Sequence, residues 1–193
     1  MKDSKFWIWF IPLFLIVSVG LYFMLTKSMK NNNVNLNNDA LSIKEEYQKN
    51  NDNYFNVELS NYNVYKYISN DDIKKLLDNK DGLVFIGDAT NNISRKCIVV
   101  LNEVVSSTSV PEVNYINIKN INDELSDYFE EKIGNSKIDA GTLISVDDGN
   151  ILKVYYPDFV LDNKELTNEE KNNLFNSYKE IVNNFIEECD ENC

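Results

Sequence analysis

The chain has 193 residues, and its 19 basic and 31 acidic side chains give a net charge of −12. This length suits one ordinary domain with little chain left over. The acidic balance argues against a nucleic-acid binder, which needs clustered Lys and Arg. The sequence has no histidine, which excludes Ser-His-Asp triads, Cys-His dyads and imidazole zinc sites. Its three cysteines are too few for a disulfide-based scaffold, and we predict no metal or cofactor.

An uncharged apolar run, FWIWFIPLFLIVSVGLYFML, occupies residues 6–25. Twenty helical residues span about 30 Å, the thickness of the hydrocarbon core of a bilayer. A cleaved signal peptide is the alternative, but the run exceeds a usual h-region and no A-x-A-like site follows it. We therefore predict a single-pass membrane anchor at residues 6–25, preceded by a short flank at residues 1–5.

Residues 26–53 are polar and rich in asparagine, without a sustained apolar stripe. This composition predicts a tether that holds the next domain away from the membrane. Lysines flank the anchor on both sides, so charge does not decide which side of the membrane the domain occupies. The first thirty residues carry four lysines and one aspartate, which leaves a net charge of −15 on the rest of the chain.

From residue 54 onward, predicted strands alternate with predicted helices, which indicates an α/β layered architecture. The first strand covers residues 64–68. A helix follows from Ser69, whose side chain and that of the third residue beyond it form a capping box. An apolar run between two glycines predicts a buried strand at residues 82–87. A second helix is predicted at residues 93–105, and an alternating strand at residues 113–118.

The second half of the domain adds a short helix at residues 123–133. Strands follow at residues 141–146 and 151–156, and the Asp-Asp-Gly-Asn sequence between them favours a hairpin turn over a calcium loop. Thr167 then caps a long amphipathic final helix. The complete order of strands and helices is that of the thioredoxin fold, a central sheet flanked by helices.

One segment carries a more specific resemblance: residues 85–104, FIGDATNNISRKCIVVLNEV. It resembles the active-site region of thioredoxin-like proteins, and is most similar to the Gram-positive membrane-anchored, or bacteriocin-transport accessory, group. Gly87, Thr90, the basic pair that begins at Arg95 and the Leu-Asn-Glu stretch from Leu101 match that pattern. The resemblance implies a thioredoxin-like domain over residues 54–188, anchored in a bacterial cell membrane and facing outward.

The resemblance fails at the residues that carry thioredoxin chemistry. The four positions of the Cys-x-x-Cys motif are Asn91, Asn92, Ile93 and Ser94. Gly141 stands where the family has its cis-proline. Dithiol exchange needs an attacking thiolate and a resolving thiol, and a serine without a base supplies neither. We therefore expect no ordinary thioredoxin activity, and more generally a protein that is not an enzyme.

Binding is the function that this degenerate site still allows. In the family, the groove beside the active-site loop holds an extended peptide through backbone hydrogen bonds, which need no thiol. The resemblance places Asn91, Asn92, Ile93, Gly141 and Thr142 along that groove. The sequence thus favours an accessory or chaperone-like factor of the cell envelope, with an extended peptide or an envelope protein as partner. A purely structural envelope component is a further alternative.

A rival hypothesis is an atypical thiol-disulfide oxidoreductase that uses Cys97, or Cys189 and Cys193. Cys97 falls on the apolar stripe of its helix, where a small buried side chain is the simpler interpretation. Cys189 and Cys193 lie in an acidic tail, residues 189–193, whose carboxylates disfavour a reactive thiolate. In an exported domain these two can also pair with each other or across a dimer.

Overall fold

The strands and helices follow one another as predicted, with one addition at the start. The structure, a computed structural model, describes residues 38–134, 138–157 and 165–191, with side chains up to residue 187. The helices in this part of the chain are α1 (Asn38–Gln48), α2 (Asn70–Asn79), α3 (Asn92–Ser106), α4 (Asp123–Ile133) and α5 (Asn168–Glu191). The strands are β1 (Tyr65–Tyr67), β2 (Gly82–Gly87), β3 (Val113–Asn117), β4 (Leu143–Asp147) and β5 (Asn150–Tyr155).

These strands form one mixed sheet in the order β1-β3-β2-β4-β5. The first three are parallel, with β3 between β1 and β2, while β4 runs antiparallel to both β2 and β5. The carboxyl ends of β1, β3 and β2 therefore share one edge of the sheet. The predicted α/β class, a central sheet flanked by helices, is confirmed at this level, and the predicted strand and helix limits from residue 64 onward hold within two residues.

The two faces of the sheet carry separate cores. One face packs against α1, α3 and α5, and its buried residues include Tyr47, Phe85, Val100, Leu143 and Tyr178. The other face packs against α2 and α4, with a smaller apolar cluster. All six residues of β2 are buried because helices cover both of its faces, as its uninterrupted apolar sequence predicts.

Local hydrogen bonds explain why the helix and turn predictions succeed. Ser69 accepts the backbone N–H of Asp72, and Thr167 accepts that of Glu170 while the Glu170 carboxylate accepts the N–H of Thr167. The Thr167 pair is a capping box, whereas at Ser69 the Asp72 carboxylate accepts the hydroxyl of the N-cap rather than its N–H. The β4–β5 hairpin turns through Asp148 and Gly149, which both have positive φ, as the Asp-Gly sequence favours.

The predicted tether at residues 26–53 is wrong for its second half, because residues 38–48 form α1 and belong to the domain. Ala40, Ile43 and Tyr47 are fully buried, and their spacing places them on one face of the helix. Asp39 of the same helix accepts the N–H of Tyr67 on the outer side of strand β1. The helix therefore contributes to the core and also protects a sheet edge.

The predicted anchor at residues 6–25 lies outside the described residues, as does the first part of the tether. Within the ranges that the structure describes, no helix combines the length and the apolar character needed to cross a membrane. The predicted tail at residues 189–193 begins inside α5, which continues to Glu191.

Candidate functional site

The candidate site lies where β2 ends and α3 begins. Gly87 closes the strand, and a Cβ atom there would lie 2.3 Å from the ring of Tyr115 and 2.7 Å from the hydroxyl of Tyr47. Only glycine allows these two tyrosines to approach the backbone so closely. The end of β2 is therefore tightly packed against these two tyrosines, and the next residues start from this fixed position.

The loop after Gly87 is held by Asp88. One carboxylate oxygen of Asp88 accepts the backbone N–H and the hydroxyl of Thr90, both at 2.7 Å, and the ammonium group of Lys119 at 3.0 Å. Burial alone would raise the pKa of Asp88, but the bonds from Thr90 and the charge of Lys119 outweigh it and lower the pKa. The carboxylate is thus fixed in its ionised form by its neighbours.

Asn91 and Ser94, which the resemblance places at the two cysteine positions of the Cys-x-x-Cys motif, form the start of α3. Asn91 is the N-cap, and its side-chain oxygen accepts the backbone N–H of Ser94 at 3.0 Å. Ser94 is fully buried, and its hydroxyl accepts the N–H of Asp88 at 2.8 Å and shares a 3.0 Å hydrogen bond with the Tyr47 hydroxyl. Burial raises the pKa of Tyr47, so this neighbour offers Ser94 no base. Ser94 therefore acts as a structural hydroxyl.

Asn92 and Arg95 face a segment that the sequence did not predict to lie here, residues 47–57, which we call the covering segment. The Asn92 side-chain oxygen accepts the backbone N–H of Phe55 at 2.7 Å. The guanidinium of Arg95 donates to the carbonyl oxygens of Phe55, Tyr47 and Ala89 and to the side chain of Asn51. Asn92 is 5% exposed and Arg95 is fully buried as a result.

On the other side of the predicted groove, Gly141 and Thr142 are buried and bonded to the strand beside them. The N–H of Gly141 donates to the carbonyl of Ile86 at 2.6 Å, and the N–H of Ile86 donates to the carbonyl of Thr142 at 2.9 Å. The Gly141 carbonyl accepts the hydroxyl of Tyr178 at 2.9 Å, and the Thr142 N–H donates to Asp139. The backbone hydrogen bonds predicted for a peptide at these two residues are thus already made inside the domain.

Cys97 lies beneath Gly141 and is fully buried. A Cβ on Gly141 would come within 2.9 Å of its sulfur, which shows how closely the two pack. Burial raises the pKa of the Cys97 thiol from its ordinary value near 9 to about 12. The exposed, low-pKa thiol that the oxidoreductase hypothesis requires is therefore absent at this residue.

Of the predicted site residues, the first turn of α3 exposes parts of Asn91 and Ile93 only. The side chains of Cys189 and Cys193 lie outside the described residues. No cluster of three or more acidic or cysteine side chains suited to a metal ion occurs within the described ranges.

A second polar group on the same sheet edge also escaped the sequence analysis. The carboxylate of Glu46 accepts the hydroxyl of Tyr67 at 2.9 Å and the side-chain amide of Asn117 at 2.8 Å. The neighbouring Tyr115 hydroxyl is buried and has no regular hydrogen bond among the described residues; burial raises its pKa, and the neighbouring Tyr47 and Glu46 raise it further. These contacts fix the end of α1 against β1 and β3.

One feature of the sequence could have indicated the covering segment: Arg95 is the only arginine in the chain. A guanidinium near the start of a largely apolar helix needs several acceptors when it is buried. The sequence does not say which segment provides them, because Phe55 and Arg95 lie 40 residues apart.

The chain matches no protein-family model, and no curated protein is significantly similar to it. Its chemistry therefore has to be judged from the geometry alone. The described site has neither an accessible thiol nor a basic partner for a hydroxyl nucleophile. It presents polar side chains that bind a stretch of backbone.

Proposed function

We propose that this protein is a thioredoxin-like domain without dithiol chemistry that binds extended peptides, anchored in the cell membrane through residues 6–25 and facing outward. The fold part of the proposal is supported by the strand order, by the parallel β1, β3 and β2, and by a helix that begins directly after β2. These are the features that the thioredoxin fold combines around its active site.

The observation that carries the loss of redox function is the first turn of α3. Asn91 and Ser94 occupy the thiol positions, and both are engaged in hydrogen bonds that hold the loop and the helix together. The buried Cys97 does not replace them, since thiol exchange proceeds through an accessible thiolate. The oxidoreductase alternative then depends on Cys189 and Cys193 alone.

A binding role is supported by the hydrogen bonds that the first turn of α3 already makes to a peptide backbone. Asn92 and Arg95 bind one residue of the covering segment through both its N–H and its carbonyl oxygen. Ile93, between them, is partly exposed and packs against the edge of the core. The contact with a partner peptide is accordingly proposed for the α3 side of the site, with Asn91 and Ile93 at its centre.

The test is peptide binding with a matched pair of variants. Peptide arrays derived from envelope proteins are probed with the full chain, with Ile93→Asp and with Val99→Asp. Ile93 and Val99 are both partly buried on α3 and both pack against the same core, but only Ile93 lies in the first turn. We expect Ile93→Asp to weaken binding at least tenfold and Val99→Asp to leave it within threefold. Equal binding by all three chains would refute the site.

The redox part is tested separately by insulin reduction. We expect no activity above that of a chain whose three cysteines are replaced by serine. Cysteine-dependent reduction would instead support the oxidoreductase alternative.

The predicted location is tested in intact cells with a protease and a C-terminal epitope tag. Cleavage of the tag without lysis would support an outward-facing domain, and protection until lysis would place the domain inside.

A further inference from the structure

The contact between Phe55 and α3 has the form of a peptide-binding site that is already occupied. The N–H of Phe55 donates to the Asn92 side chain at 2.7 Å, and its carbonyl accepts from Nε of Arg95. Both backbone groups of Phe55 are thus bound by side chains rather than by a neighbouring strand. The two side chains, those of Asn92 and Arg95, lie within one turn of helix α3.

The rest of the covering segment is gathered around the same guanidinium. Arg95 donates to the carbonyl of Tyr47 at 2.9 Å and to the side chain of Asn51, and lies over the rings of Tyr47 and Tyr54 at 5.6 and 6.0 Å. Asn51 in turn bonds both backbone groups of Val57. Arg95 thus holds the middle of the segment, while Tyr47 and Val57 at its two ends are buried in the core.

The energetics of Arg95 make a release of the segment less costly than its number of hydrogen bonds suggests. Its acceptors at Tyr47, Phe55, Ala89 and Asn51 are all uncharged oxygens. A guanidinium buried among uncharged groups loses hydration that no carboxylate replaces, and burial lowers its pKa accordingly. Opening the segment returns this charge to water, which offsets part of the lost hydrogen bonding.

We propose that the covering segment is a built-in occupant of the peptide site, and that a partner peptide binds by displacing Phe55 from Asn92 and Arg95. The partner is a segment with an aromatic residue in the place of Phe55, because that residue's ring packs against the core while its backbone bonds the side chains of Asn92 and Arg95. This inference rests on the proposed function and adds its regulation: the free protein is closed, and the apparent affinity is the intrinsic affinity multiplied by the fraction of open molecules.

The experiment is amide hydrogen exchange on the full chain in lipid nanodiscs at increasing, sub-denaturing urea. The Phe55 amide reports the covering segment, and the Ile86 amide, bonded to Thr142 within the sheet, reports global unfolding. We expect Phe55 to exchange at least tenfold faster than Ile86 and almost independently of urea. Equal protection and equal urea dependence would show that the segment opens only when the whole domain unfolds, which would overturn the proposal.

Displacement is tested with a synthetic peptide of residues 50–59, NNDNYFNVEL, added in excess. We expect it to accelerate exchange of the chain's own Phe55 amide at least threefold while Ile86 is unchanged. The matched control carries N-methyl-phenylalanine at position 55, which keeps the ring but cannot donate to Asn92, and it should have no effect. No acceleration by the first peptide, or equal acceleration by both, would overturn displacement. If array peptides nevertheless bind in an Ile93-dependent way, the proposed function stands and only the built-in occupant is refuted.

Discussion

The two sides of the candidate site are held by different kinds of hydrogen bond. At the first turn of α3, the side chains of Asn92 and Arg95 hold a segment from a distant part of the chain. At Gly141 and Thr142, the bonds run from backbone to backbone into strand β2. The first set contains no bond to the sheet, whereas the second cannot open unless β2 loses its partners. This difference directs our binding proposal to the α3 side.

The largest expected effect comes from the backbone side, at Gly141. This residue has φ +104°, and an added Cβ would meet the Cys97 sulfur at 2.9 Å and Pro157 at 3.2 Å. We expect Gly141→Ala to lower the free energy of unfolding by about 3 kcal/mol, from backbone strain and overpacking together. Urea unfolding of the full chain, followed by circular dichroism, measures it.

The matched control is Gly134→Ala. Gly134 also has a positive φ, +70°, but no atom of the described residues lies within 4 Å of its added Cβ. It should cost about 1 kcal/mol, from the backbone alone. Equal losses of stability at the two glycines would show that the close contact with Cys97 does not contribute to the cost. The Gly141 side of the site would then not be more tightly packed than an exposed helix end.

The next effect concerns the exchangeable side, at Arg95. Arg95→Met keeps much of the side-chain volume but removes the donor to the carbonyls of Phe55 and Ala89, while the carbonyl of Tyr47 keeps the N–H of Asn50. We expect a loss of about 3 kcal/mol or somewhat less in the free energy of unfolding, reduced by the relief of a buried charge. Lys119→Met, at a 60% exposed lysine paired with Asp88, is the control and should cost less than about 1 kcal/mol. If Arg95→Met left the free energy of unfolding unchanged, these hydrogen bonds would not be what holds the covering segment.

The contrast between the two sides also marks what the sequence could predict. Strands and helices after residue 64 follow from local patterns: N-caps at Ser69 and Thr167, an Asp-Gly turn, and an apolar run between glycines. Helix α1 was missed because its buried apolar face has only three members among polar and charged residues, and burial of Tyr47 depends on contacts with distant residues.

The candidate site divides in the same way. Asn91 and Ser94 could be assigned to the helix start because capping is a local interaction. The burial of Gly141 and Thr142 could not, since it depends on pairing with Ile86 more than 50 residues earlier. The covering segment likewise depends on contacts between Phe55 and α3. The spacing of residues in a single sequence does not indicate which distant residues become the partners of buried polar groups.

The third prediction uses pH to test how tightly the backbone side is packed around Cys97. The folded thiol has a pKa of about 12, against about 9 in the unfolded chain. Above pH 9 the unfolded chain loses this proton and the folded chain keeps it. The contribution of the thiol to the free energy of unfolding is therefore fully present below pH 9 and is lost as the pH rises to 12. The slope from this group is about 1.4 kcal/mol per pH unit. Buried tyrosines such as Tyr47 add to the decline at higher pH.

Urea unfolding at pH 8, 10 and 11 separates the thiol from the tyrosines. Cys97→Ala should flatten the decline between pH 10 and 11 by about 1 kcal/mol. Val100→Ala removes packing from the same buried face of α3 without removing a titrating group, and should leave the slope unchanged. Identical slopes in the wild type and Cys97→Ala would contradict a buried, protonated thiol.

The smallest effect concerns the hydrogen bond between Tyr47, at the start of the covering segment, and Ser94 in the first turn of α3. In a double-mutant cycle of Tyr47→Phe and Ser94→Ala, we expect a coupling of about 1 kcal/mol, because both hydroxyls are buried and each would otherwise lack this partner. A control cycle pairs Tyr47→Phe with Thr108→Ala, whose hydroxyl bonds within the end of α3, and should show no coupling. Coupling in the first cycle alone would mean that α1 stabilises the start of α3 through a single replaceable side-chain contact. Coupling no larger than in the control cycle would contradict a stabilising hydrogen bond between α1 and the start of α3.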